Sequence, residues 1–437
     1  MMAAADPLPP LLIAVPAVIL ACRAGGALFR RIGQPPVVGE MCVGILLGPS
    51  LLGWLWPSAQ HWLLPPSVLP FTGVLGQLGL LVFMFLIGLE FDWGTLRGKR
   101  ATALAVGGTS IAVPLLLGAA LGLAMYGTQA PDGVQQMPFV LFIAVSMSIT
   151  AFPVLARILS ERGLYGTPVG TLALACAAID DVAAWCLLTL VVALTTSSSA
   201  MGAAGTAALT LGFAAALIWG LRPLLARRAR HDRLLSGERH EGVVLVVLFS
   251  AICLAGLITD RIGVHTVFGA FLLGTAMPRG SHTVERAARQ LRSVVIPVLL
   301  PLFFVQTGLR TDLGGLHHMS EWLWAGAILV VAMAGKWGGA ALAARTAGQD
   351  GRSSLLIGAL MNCRGMTELI VLNIGYDMGV IGPQVFTMLV MMALITTALT
   401  GPALDRLSPG TRTTGAAEPP PAPDGEKAVA VPVSGRP

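Results

Sequence analysis

The sequence predicts an all-α polytopic membrane protein with about 13 transmembrane helices arranged as inverted repeats. Three observations predict it. Of the 437 residues, 55% are hydrophobic and only 11% charged, with a mean hydropathy of +0.78, where a soluble domain carries about 25% charged residues. Apolar runs recur along the chain at lengths suited to a bilayer, which takes roughly 20 residues per helix. Once those runs are laid out, 23 of the 28 Lys and Arg fall on one face. Such a composition excludes a soluble globular domain, and nucleic acid is not an expected partner.

In chain order, MMAAADPLPP has no Lys or Arg before the first apolar run. It lacks the positive n-region of a cleavable signal peptide, and residues 1–10 read as an extracellular N-terminus. Apolar segments follow at roughly 11–30, 36–50, 68–90, 101–126, 136–160, 168–194, 203–225, 241–258, 264–278, 293–309, 322–344, 354–376 and 381–404. The second and ninth, about 15 residues each, are short for a span. They suggest thin or re-entrant helices, or helices buried against others. Arg30/Arg31, Arg97/Lys99/Arg100, Arg157/Arg162, the Arg222–Arg239 connector, Arg279–Arg292, Arg345/Arg352 and the C-terminal basic residues share one face, with only Arg261 and Arg310 opposite. The positive-inside rule puts that face in the cytoplasm and the N-terminus outside the cell membrane. From about Ser408 the chain loses its apolar periodicity, and residues 406–437 read as a disordered cytoplasmic tail with no soluble nucleotide-binding domain. All six cysteines lie in apolar segments, as small core residues rather than a disulfide or zinc framework.

An internal repeat organises the transmembrane domain, residues 11–405. Leu81–Asp92 (LVFMFLIGLEFD) matches Pro301–Asp312 (PLFFVQTGLRTD) at phenylalanine, Gly-Leu and Asp. The segment before each carries Leu-Leu-Gly, at Leu46–Gly48 and Leu272–Gly274. The positive-inside topology makes the two units, about 36–194 and 264–404, opposite in orientation, an architecture of many secondary transporters. At matched positions each unit interrupts an apolar helix: Ser148-Ile-Thr-Ala-Phe-Pro153 in the first, Asn362-Cys-Arg-Gly-Met366 in the second. Such paired interruptions point to a midplane site, where freed carbonyls and half-helix dipoles can meet an ion.

Asp180 and Asp181 stand side by side in an uncharged run that begins at Thr167 and continues to Arg222. A carboxylate at membrane depth costs several kcal/mol unless paired, neutralised or solvated, so the pair reads as a shared site for a proton and a monovalent cation. Adjacent helical residues point about 100° apart, which favours distinct roles. Lys336 is the lone lysine inside a membrane segment and the natural counter-charge to one aspartate. Arg364 and Glu368, four apart, can pair on one helix face. That pair, like Glu40 in the short second helix and Arg157 after the first break, can be structural or gating. Thr150 can offer a hydroxyl and a carbonyl to an ion. The seven histidines lie mostly in loops without metal-ligand spacing.

The motifs SITAFPVLARIL, AAIDDVAAW, VHTVFGAFLLG, LPLFFVQTGL and MNCRGMTELIVLNIG together resemble the second monovalent cation:proton antiporter family. This group includes Kef-type potassium/proton antiporters, bacterial sodium/proton antiporters and plant cation/proton exchangers. The resemblance covers roughly residues 10–405. It implies two crossed broken helices, a core domain moving against a dimerisation domain, and usually a homodimer. By position it makes Asp181 the ion-binding carboxylate, Asp180 its neighbour, Lys336 the partner of that neighbour in electrogenic members, and Thr150 part of the first unwound segment. The large cytoplasmic domain of Kef-type and plant members has no counterpart here. The expected activity is Na⁺ or K⁺ exchange for protons by alternating access, electrogenic because Asp180 is an aspartate. No cofactor is expected beyond the transported ions. Two alternatives belong to other classes: an intramembrane aspartyl protease, awkward for two adjacent carboxylates, and a cation channel, for which no carbonyl-rich Gly filter is present.

Overall fold

The computed structural model describes residues 7–90, 100–164, 167–196, 200–231, 241–278 and 281–407. Residues 1–6, Arg97 and Lys99, the connector from 232 to 240, Arg279 and the tail from 408 onward lie outside the described residues. Among the described residues every regular element is helical.

The first helix, α1 (Leu8–Arg31), starts on prolines that need no N–H partner in a first turn. Next come the short α2 (Pro36–Leu47) and two small surface helices, Leu52–Leu55 and Pro57–Leu63. These expose Trp54, Trp56 and Trp62, as an interfacial belt does. The chain continues through α3 (Leu69–Glu90), α4 (Arg100–Gln129), the half-helices α5 (Gln136–Ser148) and α6 (Phe152–Glu161), and α7 (Pro168–Thr196). Helix α8 (Ala200–Ala215) extends through a π-helical turn into Arg222–His231. It is followed by α9 (Glu241–Ile262) and the short α10 (Thr266–Ala276). The amphipathic α11 (His282–Val294) runs through the π turn Val295–Leu299 into α12 (Leu300–Arg310). Likewise α13 (Met319–Met333) passes through the π turn Ala334–Gly338 into α14 (Gly339–Thr346). The last elements are the half-helices α15 (Gly351–Met361) and α16 (Met366–Asp377), bent by 43° at their break, and α17 (Pro383–Leu407).

Among the described residues, ten helices are long and apolar enough to cross a membrane, eleven if the α15–α16 pair counts as one span. The remaining two of the thirteen predicted segments correspond to α5, halved by its break, and α10. At 1.5 Å per residue α10 covers roughly half a bilayer core of about 30 Å. Its apolar side chains are buried, so it is held by neighbouring helices. The sequence reading missed α11 as a helix because its Arg-rich surface breaks the hydropathy window.

The helices pack as two bundles. Helices α1–α3 and α9–α12 form a scaffold; α4–α7 and α13–α17 form a core around the two breaks. Inside the scaffold the repeat glycines make equivalent crossings. A Cβ at Gly308 would lie 2.0 Å from the Gly44 carbonyl oxygen, and one at Gly48 would lie 2.4 Å from that of Gly308. In the other half, a Cβ at Gly274 would lie 2.2 Å from the Phe85 oxygen, and one at Gly88 2.2 Å from that of Phe271. The motif shared by the two halves therefore does the same job twice, letting a long helix touch the short helix of the opposite repeat.

Candidate ion-binding site

Helix α5 stops at Ser148 because Ile149 turns extended (φ −76°, ψ 136°). A proline at 153 has no N–H to continue the preceding turn, so the helix restarts at Phe152 instead. In the second half α15 ends at Met361, and Gly365, extended at φ 165°, precedes α16. The unwound segments cross and satisfy each other's backbone. The Ala151 N–H donates to the Cys363 carbonyl at 3.0 Å, and the Thr150 hydroxyl donates to the Met361 carbonyl at 2.9 Å. Across the break, the Thr397 hydroxyl accepts from the Arg364 N–H at 3.0 Å and donates to the Arg364 carbonyl at 2.7 Å.

A helix C-terminus carries unpaired carbonyls and partial negative charge, and at α5 two cations meet them. The Arg364 guanidinium donates to the carbonyls of Ser146 and Met147, both at 2.6 Å. Lys336 donates to the Ser148 carbonyl and, at 3.1 Å, to that of Ser110. Each cation also holds one carboxylate: Arg364 pairs with Glu368 at 2.8 Å, and Lys336 with Asp180. All four side chains are buried. The π turn that carries Lys336 is of a kind common at functional sites.

Asp181 is different. One residue along α7 it is equally buried, but among the described residues no cation pairs with it directly; its carboxylate meets the backbone N–H of Phe152 at the start of α6. There the half-helix dipole is positive. Several buried atoms around the crossing have no hydrogen-bond partner: Asp180 Oδ1, Asp181 Oδ1, both side-chain atoms of Asn362, Thr367 Oγ1 and Glu368 Oε1. Buried polar atoms of this kind in native proteins call for a water, an ion or a functional explanation. Ser146 Oγ and Arg364 Nε are unpartnered there too; most of these atoms are oxygens, and with Lys336 and Arg364 counted against Asp180, Asp181 and Glu368 the formal charge is −1, a set that suits a small hard cation.

The predicted residues thus divide into two places. Asp180, Asp181, Thr150, Lys336, Arg364 and Glu368 converge on the crossing. Glu40 and Arg157 instead line a cleft of about 230 Å³ between the bundles, with Glu90, Arg292, Val154 and Met366 among its other walls. Glu40 is buried, 3.6 Å from Arg23. Sequence reasoning missed the Ser110 and Ser148 carbonyls and Thr397. The one signal for Thr397 was a Thr-Thr pair in an apolar run. The histidines His317 and His318 are exposed, as expected of a loop.

Comparison with known proteins places this geometry. Residues 17–408 match the family described as sodium/hydrogen exchanger, transmembrane. The chain belongs to the sodium/hydrogen exchanger family. The exchanger is 39% identical over 389 residues to the Na⁺/H⁺ antiporter NhaS4 of Synechocystis sp., a match covering 88% of this chain and 93% of the relative. It is 38% identical over 403 residues to cation/H⁺ antiporter 17 of Arabidopsis thaliana, covering 90% of this chain but 48% of the relative. Here the chain spans about half the length of the plant protein. The solved structure of the sodium proton antiporter MjNhaP1 from Methanocaldococcus jannaschii superposes with a TM-score of 0.65 at 15% identity, covering 93% of this chain and 99% of that one; it shares the fold. The exchanger is therefore a multi-pass membrane transporter of the cation/proton antiporter class rather than an enzyme.

Proposed function

We propose that the exchanger swaps Na⁺ or K⁺ for protons by alternating access, with cation and proton competing for Asp181. The observation that carries this reading is the division of labour between adjacent carboxylates. Each carboxylate keeps one unpartnered oxygen, but Asp180 is locked to Lys336 through the other, while Asp181 has no paired cation among the described residues and lies beside the unwound crossing and the α6 N-terminus. One carboxylate can hold a proton or a cation but not both, which is the simplest coupling for exchange. If Asp180 also gives up its partner and takes part in proton exchange, more than one proton moves per cation and exchange is electrogenic. Asn362 and Thr150 would supply neutral oxygens to the cation. The scaffold is the expected dimerisation surface of a homodimer in the cell membrane, N-terminus outside and C-terminus cytoplasmic. The exchanger would then serve pH and cation homeostasis.

The test is reconstitution into proteoliposomes with an internal pH dye. Addition of Na⁺ or K⁺ should dissipate an imposed ΔpH in the wild type, and Asp181→Asn should abolish the response while still folding. Full activity in Asp181→Asn, or no cation-driven response in the wild type, overturns the reading.

A further inference from the structure

The two bundles meet along one seam, and its ends differ. Helix α16 presents Met366, Ile370, Asn373 and Asp377 along this seam, a stripe at helical spacing. Opposite it, α3 and α12 run from Glu90, Phe83 and Leu300 at one mouth to Gly73, Gln77, Gln306 and Arg310 at the other. The mouth near Glu90 opens into the cleft of about 230 Å³, and the mouth near Arg310 into one of about 30 Å³.

What closes the narrow mouth is a set of polar contacts that cross the seam. Arg310, the last residue of scaffold helix α12, donates to Asn373 Oδ1 at 2.9 Å and pairs with Asp377 Oδ1 at 2.7 Å, both on core helix α16. Its guanidinium carbon lies 5.4 Å from the centre of the Tyr376 ring, within cation–π range. The Asn373 amide donates back to Thr307 at 2.9 Å, and the Asp312 N–H donates to Thr387 at 3.2 Å. At the wide mouth the ion pairs Arg23–Glu40 and Arg292–Glu90 each join helices of the same bundle. Among the described residues, the bonds that do cross between the bundles at this end, Gln34 to the Ala398 carbonyl at 3.1 Å and Arg162 to the Gly33 carbonyl at 3.2 Å, lie on the loop after α1 and outside the lining of the cleft.

We propose that Arg310 is a positioning residue of the transport cycle, a latch whose hold on Asn373, Tyr376 and Asp377 keeps the narrow mouth shut. It touches neither Asp181 nor the transported ion. Exposing the ion site to that side requires the core to release Arg310, so the latch sets the balance between the two access states. The inference rests on the alternating-access reading above and adds the residue that biases it. An arginine suits the role because one guanidinium nitrogen meets both acceptors while the planar group also lies against the Tyr376 ring, a stacking contact that a compact ammonium makes less well.

Cysteine accessibility tests it. With the native cysteines replaced, a single cysteine is placed at Gln77 in the narrow mouth or at Ala156 in the wide cleft. Labelling by a water-soluble maleimide is followed in nanodiscs. Arg310→Ala should speed labelling at position 77 several-fold and slow it at position 156, because one mouth closes as the other opens. Arg310→Lys should fall between. The exchange Arg310→Asp with Asp377→Arg should restore most of the wild-type pattern. Should Arg310→Ala fail to fold, Asp377→Asn should move both rates in the same directions. Unchanged rates, or faster labelling at position 77 with none lost at 156, would overturn the latch. The same measurement in an Asp181→Asn background needs no transport, so the latch can fail or stand independently of the antiport reading.

Discussion

Replacing Lys336 by methionine would put the interlocked charges of the core under the most direct strain. Asp180 is 1% exposed and Lys336 fully buried, so removing the ammonium strands a carboxylate in an apolar interior. Breaking a buried pair from one side costs about 3–5 kcal/mol. The carbonyls of Ser110 and Ser148 lose a donor as well, adding on the order of 1 kcal/mol each. A double variant, Asp180→Asn with Lys336→Met, removes both charges and should regain most of the loss, since neutral replacements of buried pairs are often as stable as the original. Thermal unfolding of detergent-solubilised protein measures the ordering directly: Lys336→Met well below wild type, the double variant close to it. A single variant as stable as wild type would refute the pairing, and so would a double variant no better than the single one.

Other positions make independent claims. Gly308→Val should prevent accumulation of folded protein, because even a Cβ there would lie 2.0 Å from the Gly44 backbone oxygen, which cannot step aside; size-exclusion profiles of a fluorescent fusion report it. Thr397→Val strips the Arg364 N–H of its acceptor at the crossing and should lower stability by about 1–3 kcal/mol, read by the same unfolding assay. Asp350 caps α15, accepting from the N–H groups of Arg352 and Ser353 at 3.1 Å each. The Ser353 hydroxyl and N–H, then the Arg352 N–H, hold its carboxyl below the usual range. That contribution is complete above the usual carboxylate range and fades as pH falls through the lowered folded value. The Tm gap between wild type and Asp350→Ala should therefore narrow in acid, and a gap that widened would contradict the cap.

Much of this was legible in the sequence because lipid punishes exceptions. Asp180, Asp181, Lys336, Arg364 and Glu368 stand inside apolar runs and are buried together, where the helices break at Ser148–Pro153 and Asn362–Met366. The Gly-Leu matches gave the repeat, and the structure explains them as helix crossings too tight for a side chain. Other features left no comparable trace. The contacts of Lys336 with Ser110 and Ser148 run to backbone carbonyls, which every residue has, so side-chain pattern is silent about them. The π turn around Lys336 is a local change in hydrogen bonding within an apolar sequence that reads as plain α-helix. Helix α11 was hidden by its own arginines. Arg310 was visible only as a charge on the sparsely charged side; its bond to Asp377 depends on how two bundles meet, a distance no periodicity encodes.

The central claim, competition for Asp181, is tested most directly by transport currents on solid-supported membranes over a range of pH and cation concentration. If proton and cation share one carboxylate, raising the proton concentration should increase the apparent KM for the cation by up to about tenfold per pH unit while the maximal current persists. Asp181→Asn should carry no current at any pH. A KM that stays constant while the maximal current falls would mean that the proton acts elsewhere, and the competition at Asp181 would have to be abandoned.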